Sequence, residues 1–264
     1  MPDALRYGPD KSNIRAAAAP LVTGRANKMT LKRLALMACI ACLSMPIAVS
    51  DTGAASNSAE RQLPSSLPAF LPTMPTTAKF DVFRQGQPFG RHIIHFEPSE
   101  EGRLTVENDV YFRAGLGPIT IYKYKHNSTE TWQNGALTEL VGHTEKSGKD
   151  FEVMASARNG RLIVDGTLNM SEVDGRLLPF SHWNVGQVDD VEILSSESGE
   201  LIPIHVEPVA RDVLMIDGEA VEATRYRMTS ELTADLWYDD TGRWVGFAFT
   251  ARNQKIEYRL QELY

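Results

Sequence analysis

The sequence predicts an all-β domain, an antiparallel up-and-down sheet curled into a barrel or half-barrel, with a short loop or helix near 168–190. Three observations predict it. Apolar and polar residues alternate with a period of two in run after run, which is the pattern of strands with one buried face. Gln-Gly, Asn-Gly and Asp-Gly pairs fall between the runs, and such pairs tolerate the positive φ that tight hairpin turns demand. No window longer than two turns carries a helical period.

The elements follow in order. Gln85-Gly86 is the first turn signal. In 103–114, Leu104, Val106, Val110, Phe112 and Ala114 share one face, and Arg103, Thr105, Glu107, Asp109 and Arg113 share the other. A long strand over 118–132 puts Tyr122, Tyr124, His126, Glu130 and Trp132 on one parity and Ile119 and Ile121 on the opposite one. Asn134-Gly135 ends it. Phe151, Val153, Ala155 and Ala157 mark the next run, closed by Asn159-Gly160. Residues 168–190 break the alternation. Ile202, Ile204 and Val206 resume it, and Asp217-Gly218 turns the chain. Over 221–238 one parity holds Tyr226, Met228, Leu232, Ala234, Leu236 and Tyr238. The turn at Asp239–Gly242 and the run Ile256, Tyr258, Leu260 complete a set of about ten strands joined by short turns.

Composition sets the class. The chain has 264 residues, 42% hydrophobic and 23% charged, with 14 Pro, 19 Gly and 2 Cys. Such values exclude collagenous, disulfide-dense, strongly disordered and multi-span membrane chains. The first fifty residues carry seven basic and two acidic groups, which leaves 20 basic and 32 acidic groups for the remainder. A split of that kind separates a targeting segment from a soluble body. Lys32-Arg33 precede the 16 apolar-rich residues Leu34–Val49, and Ala48-Val49-Ser50 places small residues at a cleavage site. These are the parts of a secretory signal peptide. The stretch is short for a membrane helix, and Pro46 breaks its end.

The expected organisation is therefore an upstream extension over 1–28, with translation starting at Met29, a signal peptide over 29–50, a Pro/Ser-rich linker over 51–78, and a single β-domain over 79–264. In the linker, Pro64, Pro68, Pro72 and Pro75 remove donors and disfavour helix, so it reads as an extended solvated tether, Phe70 and Leu71 included. The expected location is periplasmic, with no transmembrane span after cleavage. Cys39 and Cys42 both lie in the leader; only five residues separate Arg33 from Cys39, too few for a lipid-anchored form. The mature body then has neither a disulfide nor a thiol nucleophile.

Several fragments together carry a resemblance. They are Phe80-Asp81-Val82-Phe83-Arg84 with Gly86, Pro88 and Gly90; Tyr122–His126 with Glu130, Trp132 and Gly135; Phe180–Asn184; Leu236-Trp237-Tyr238-Asp239 with Gly242, Trp244, Val245 and Phe247; and Ile256-Glu257-Tyr258. In this order and spacing they resemble a family of exported proteobacterial proteins known only as a domain of unknown function. The resemblance spans almost all of 79–260 and implies an exported all-β protein, with no activity attached. A looser similarity is to the half-barrel LolA/LolB-like lipoprotein carriers, which hold acyl chains on a concave apolar face. It is an analogy of fold.

Candidate chemistry is sparse. His92 and His95 are three apart on a strand and point to opposite faces, so no metal site is expected there. Ser181-His182 lacks a nucleophile elbow, and adjacent residues diverge on an extended chain. Asp239-Asp240 suits a turn, where Asp bonds the backbone. The segment Phe180-Ser181-His182-Trp183-Asn184 mixes aromatic bulk with polar groups, as a pocket rim does. The preferred reading makes Trp183 a plug, with His182 and Asn184 satisfying loop backbone groups. The face Tyr122–Trp132 is either a concave aromatic-polar wall or a cross-strand ladder that sets register.

The residues nominated for ligand binding are Tyr122, Tyr124, His126, Trp132, Phe180, His182, Trp183 and Asn184. The expectation is non-enzymatic binding of an amphipathic or lipid-like small molecule, or of an envelope protein. No catalytic residue, metal or cofactor is expected. Two alternatives are a hydrolase centred on His182, which requires His182, His126 and an acid to converge, and a structural envelope-assembly module. The acidic body and the lack of a Gly-rich phosphate loop argue against nucleotides and nucleic acid.

Overall fold

Local pairing dictates most of the architecture. A computed structural model of the chain describes residues 67, 69–116 and 119–264, without the side chains of 116 and 119–121. The expected extension, leader and most of the linker lie outside the described residues.

Fifteen strands occur among the described residues: β1 (Thr76–Arg84), β2 (Gln87–Pro98), β3 (Arg103–Leu116), β4 (Ile119–Gln133), β5 (Ala136–Lys146), β6 (Lys149–Arg158), β7 (Arg161–Gly166), β8 (Met170–Asp174), β9 (Glu192–Leu194), β10 (Leu201–Pro203), β11 (His205–Ile216), β12 (Glu219–Thr229), β13 (Thr233–Asp239), β14 (Trp244–Ala251) and β15 (Gln254–Leu260). Thirteen of them form one antiparallel sheet in the order β11-β12-β13-β14-β15-β1-β2-β3-β4-β5-β6-β7-β8. The sheet is curled but not closed. β1 pairs with β15, Phe80 opposite Leu260, so the last strand lies beside the first in the middle of the sheet. Its two free edges are β8 and β11.

The expected turns are present. Gln85-Gly86, Asn134-Gly135, Asn159-Gly160 and Asp217-Gly218 all have positive φ at both positions, the signature of type I′ hairpins. Ser147-Gly148 and Arg252-Asn253 make two more turns, in which Gly148 and Asn253 are residue types that tolerate positive φ. The stretch 221–238 divides into β12 and β13 around Ser230–Leu232, with Met228 opposite Ala234 and Tyr226 opposite Leu236. Within 168–190, β8 is a strand, and Val185–Asp189 is a short 3-10 helix.

The inner face can be read rung by rung. One rung runs Phe80, His92, Val110, His126, Thr144, Phe151. The next runs Ala78, Ile94, Asn108, Ser128, Gly142, Val153, Gly166. The main core grows from such rungs and takes in Phe96, Val106, Trp132, Leu140, Val164, Leu236, Tyr238 and Trp244. Phe70, expected in the solvated tether, is drawn into it. Its ring packs edge-on against Phe96 at 5.6 Å and Tyr264 at 5.2 Å, while Leu71 stays exposed. Removing an aromatic ring from water outweighs keeping one more residue free.

The connection from β8 to β11, residues 175–204, lies on this inner face. It holds β9, β10 and the 3-10 helix, and buries Trp183, Val185, Gln187, Ile193 and Leu194. Two glycines admit it. A Cβ on Gly142 would stand 2.3 Å from the Ser196 carbonyl oxygen, and one on Gly166 would stand 2.3 Å from that of Ser198. Glycine inside a strand marks such an approach of two backbones. Gly142→Val and Gly166→Val should each lower stability by about 1–3 kcal/mol. In urea unfolding, Val141→Thr on the outer face should stay within about 0.5 kcal/mol of the parent.

Candidate functional site

The centre of the inner face is polar, and its carboxylate and imidazole groups are partnered, while the buried Ser128 hydroxyl is not. Glu130 of β4 is fully buried. Its Oε2 accepts from the indole N–H of Trp132 at 3.0 Å and of Trp183 at 2.9 Å, and its Oε1 accepts from the Asn108 amide at 3.4 Å. The Ser181 side chain bonds it as well. Burial raises the Glu130 pKa, and these donors oppose the rise. The Asn108 Oδ1 in turn lies 3.3 Å from His92 Nε2.

His182 has a φ of 66°, a turn of backbone that separates its neighbours from its own ring. Ser181 and Trp183 bond Glu130, while the His182 imidazole lies 3.1 Å from Gln187 Oε1 and packs on Phe247 and Phe180. Tyr238 donates to the His182 carbonyl at 2.7 Å and bonds the Gln187 amide. His126 Nδ1 is 2.8 Å from Thr144 Oγ1, and its Nε2 is 3.4 Å from Ser196 Oγ. Glu197, in the same loop, accepts from Lys146 at 3.0 Å and from the Tyr124 hydroxyl at 3.2 Å.

Desolvation holds three histidines neutral: it lowers the pKa of His92 and His182 to about 4 and that of His126 to about 3.

The structure separates the eight nominated residues. Tyr122, Tyr124, His126 and Trp132 do share the inner face of β4 with Glu130. Trp132, Trp183 and His182 are committed to packing and to the bonds above, and Trp183 fills space between Phe96 and Trp132. Asn184 Oδ1 caps the 3-10 helix by accepting from Gly186 N–H at 2.9 Å. The convergence required for a hydrolase does not occur. Among the described residues no hydrogen bond joins His182 or His126 to a carboxylate. His92 faces inward while His95 is outside on Thr77, and no cluster among the described residues is arranged to hold a metal ion. Asp239 braces its turn, with Oδ1 accepting from the N–H groups of Thr241 and Arg243.

Tyr122 and Tyr124 belong to a second group at the other end of the inner face. Val82, Phe89, Tyr122 and Ile256 are its buried members, with Phe112, Tyr124, Phe249 and Tyr258 partly buried around them. Phe89 stacks on Phe112 at 5.2 Å, and Phe112 stacks on Tyr124 at 5.4 Å. No residue of 175–204 belongs to this group. Asn108 went unnoticed in the sequence, although a polar residue at the central place of an apolar parity was a signal. Glu197 and Lys146 had none.

These features define a class: an open, β-barrel-like domain whose interior is occupied at one end by its own chain. The chain belongs to the family described as Domain of unknown function (DUF6134), whose model matches residues 80–261. It is similar in fold to a crystal structure of a beta-barrel-like protein of the domain of unknown function DUF1849 from Brucella abortus. The TM-score is 0.53 at 11% identity, covering 72% of this chain and 96% of that one. No curated protein matches it at a significant level. Among the described residues no helix is long and apolar enough to cross a membrane.

Two outcomes check the polar centre. Glu130→Ala should cost about 3–5 kcal/mol, because it strands two buried indole donors and an amide; Glu130→Gln should cost less, since it keeps acceptor oxygen. Acid should also destabilise the fold. Each histidine binds its proton in the unfolded chain near pH 6.5 but resists it when folded, so its contribution is complete above pH 6.5 and is withdrawn as pH falls toward 4. That amounts to about 2 kcal/mol per histidine between pH 6.5 and 4.5. Glu130, shifted upward, works in the opposite sense but is one group against three. Urea midpoints at pH 7.5 and 4.5 measure the net fall, and His126→Asn should shrink it.

Proposed function

We propose that the protein is an exported, non-enzymatic binding protein that holds an amphipathic or lipid-like molecule against the aromatic end of its inner face. The observation that carries this is the stacked group Phe89–Phe112–Tyr124 with Tyr122, whose buried members lie outside the main core and which the inserted segment meets at Tyr124 through Glu197. Flat apolar walls with a few convergent polar groups suit such a ligand. The Tyr124 hydroxyl and the Lys146–Glu197 pair stand at the edge of this wall and supply the polar end. The leader-like segment over 29–50 and the cysteine-free body support export.

The hydrolase alternative has lost its geometry. A role built on sheet edges has two free edges to use, but β8 spans five residues and β11 is interrupted by a bulge at Pro208. Both are devices that blunt edges against pairing.

Native mass spectrometry of the exported protein tests the reading. It should carry a bound amphiphile, exchangeable with a dansyl-labelled fatty acid, and Phe112→Ala with Tyr122→Ala should weaken that uptake at least tenfold. A bare protein that takes up no labelled fatty acid would overturn it.

A further inference from the structure

The aromatic wall has a cation at each end, and the two differ. Phe89, Phe112 and Tyr124 form one stack. At one end the Lys146 ammonium lies 5.9 Å from the centroid of the Tyr124 ring, and at the other the Arg84 guanidinium carbon lies 5.5 Å from that of Phe89. Lys146 is committed. Its ammonium bonds Glu197 at 3.0 Å, and both side chains of that pair are largely buried. Arg84 has no such partner. Among the described residues no carboxylate pairs with it and no acceptor takes its N–H groups.

The position of Arg84 is a departure from the pattern of its strand. Along β1, Phe80 and Val82 are buried on the inner face, and Arg84 continues their parity. Its partner on β15 is Ile256, a buried member of the aromatic group. A half-buried charge therefore stands where alternation calls for an apolar side chain.

Stacking spends only the face of a guanidinium. Its N–H donors lie in the ring-parallel plane and stay available, in the fork geometry that matches a carboxylate. Nothing nearby competes for them. Two hairpin turns meet beside Arg84: Gln85 N–H donates to the Lys255 carbonyl at 2.8 Å, and the Gln85 amide donates to the Asn253 carbonyl at 2.9 Å. From Arg84 to Pro88 and from Ala251 to Lys255 these turns hold neither Asp nor Glu. Lys255 is neutralised by Glu257 at 2.8 Å. Arg252 is exposed at the tip of the second turn and, like Arg84, has no carboxylate among the described residues. In a chain of net charge −7, this rim of the aromatic end is locally cationic.

We propose that Arg84 determines the specificity of the aromatic wall by seating the carboxylate of an anionic amphiphile. The guanidinium stays stacked on Phe89 and offers its edge to the acid through two parallel charge-assisted bonds, while the apolar body lies along Phe89, Phe112 and Tyr122. The assignment rests on the binding function proposed for the wall and names the chemistry of its ligand.

Two probes with one label and one chain test it on the full exported protein: a dansyl-labelled undecanoic acid and its methyl ester. Near neutral pH, dansyl fluorescence should show the acid binding at least tenfold more tightly, and added salt should shrink the preference. Arg84→Gln should bring the acid down to the affinity of the ester. Arg84→Lys, which keeps the charge but not the planar fork, should retain about a third of the preference. Arg252→Gln should weaken the acid less than threefold, since an exposed side chain acts through its field alone. Phe112→Ala with Tyr122→Ala should weaken acid and ester together, which separates the wall from the seat of the head group. Urea midpoints for each variant control for folding. Equal binding of acid and ester by the parent, or a folded Arg84→Gln protein that keeps the preference, would overturn the proposal and leave the binding function of the wall standing. Binding of neither probe would overturn that function and this assignment with it.

Discussion

Thirteen antiparallel strands curled around one face enclose more volume than their own inward side chains fill, and an interior tolerates neither voids nor unpaired polar atoms. Glu130 is where both demands are met. Its carboxyl group is removed from water and must be satisfied from within the protein. The donors come from β3, from β4 itself and from the 180–184 segment, so the group that is hardest to bury also ties the inserted chain to the sheet. Trp183 supplies the bulk that fills the hollow and, through its indole N–H, one of the bonds that makes the filling specific. An apolar plug of equal size would fill the space without choosing one position along the sheet.

The route of the chain explains why an inserted segment was available. Consecutive strands pair with their neighbours through short hairpins from β1 to β8 and again from β11 to β15. The pairing of β1 with β15 joins these two halves in the middle and leaves β8 and β11 as opposite edges. A sheet that closed would have paired those two edges. Here the chain leaves one edge, crosses the inner face and emerges at the other, so the linking segment does the filling that closure and larger side chains would do in a tight barrel. The glycines at 142 and 166 let its backbone lie against the strands. The contrast between the filled end and the aromatic end of the inner face, which is the basis of the functional reading, follows from how far this segment reaches.

Much of the sheet was legible. Strand positions followed the two-residue period, and the Asn-Gly and Asp-Gly turns fell where φ is positive, because both signals are local. Ser147-Gly148 and Arg252-Asn253 went unread although Gly148 and Asn253 tolerate positive φ; Ser147 and Arg252 adopt it because the flanking strands impose it. β8 was hidden in a stretch without alternation, and as an edge strand it has only β7 to pair with. Phe70 read as tether because proline spacing dominates its neighbourhood, yet Phe96 and Tyr264, distant in sequence, offered its ring a place in the core. The candidate site was legible in part. The shared face of Tyr122, Tyr124, His126 and Trp132 was correct, while the use of that face was open. The placement of Asn108 and Arg84 on otherwise apolar parities was visible but had no meaning until their neighbours were known.

By itself the sequence determined the all-β class, the antiparallel hairpins and the sidedness of most strands, because hydrogen-bonded neighbours lie a few residues away and alternation reports burial directly. The tertiary structure decided that the sheet stays open, that residues 175–204 occupy its interior, and that one end of the inner face is left to aromatic rings. It also decided which histidines lose their protons and which cation beside the wall is left without a carboxylate. Each of those depends on contacts between residues separated by tens to more than a hundred positions, and no local period encodes which distant face a segment will meet.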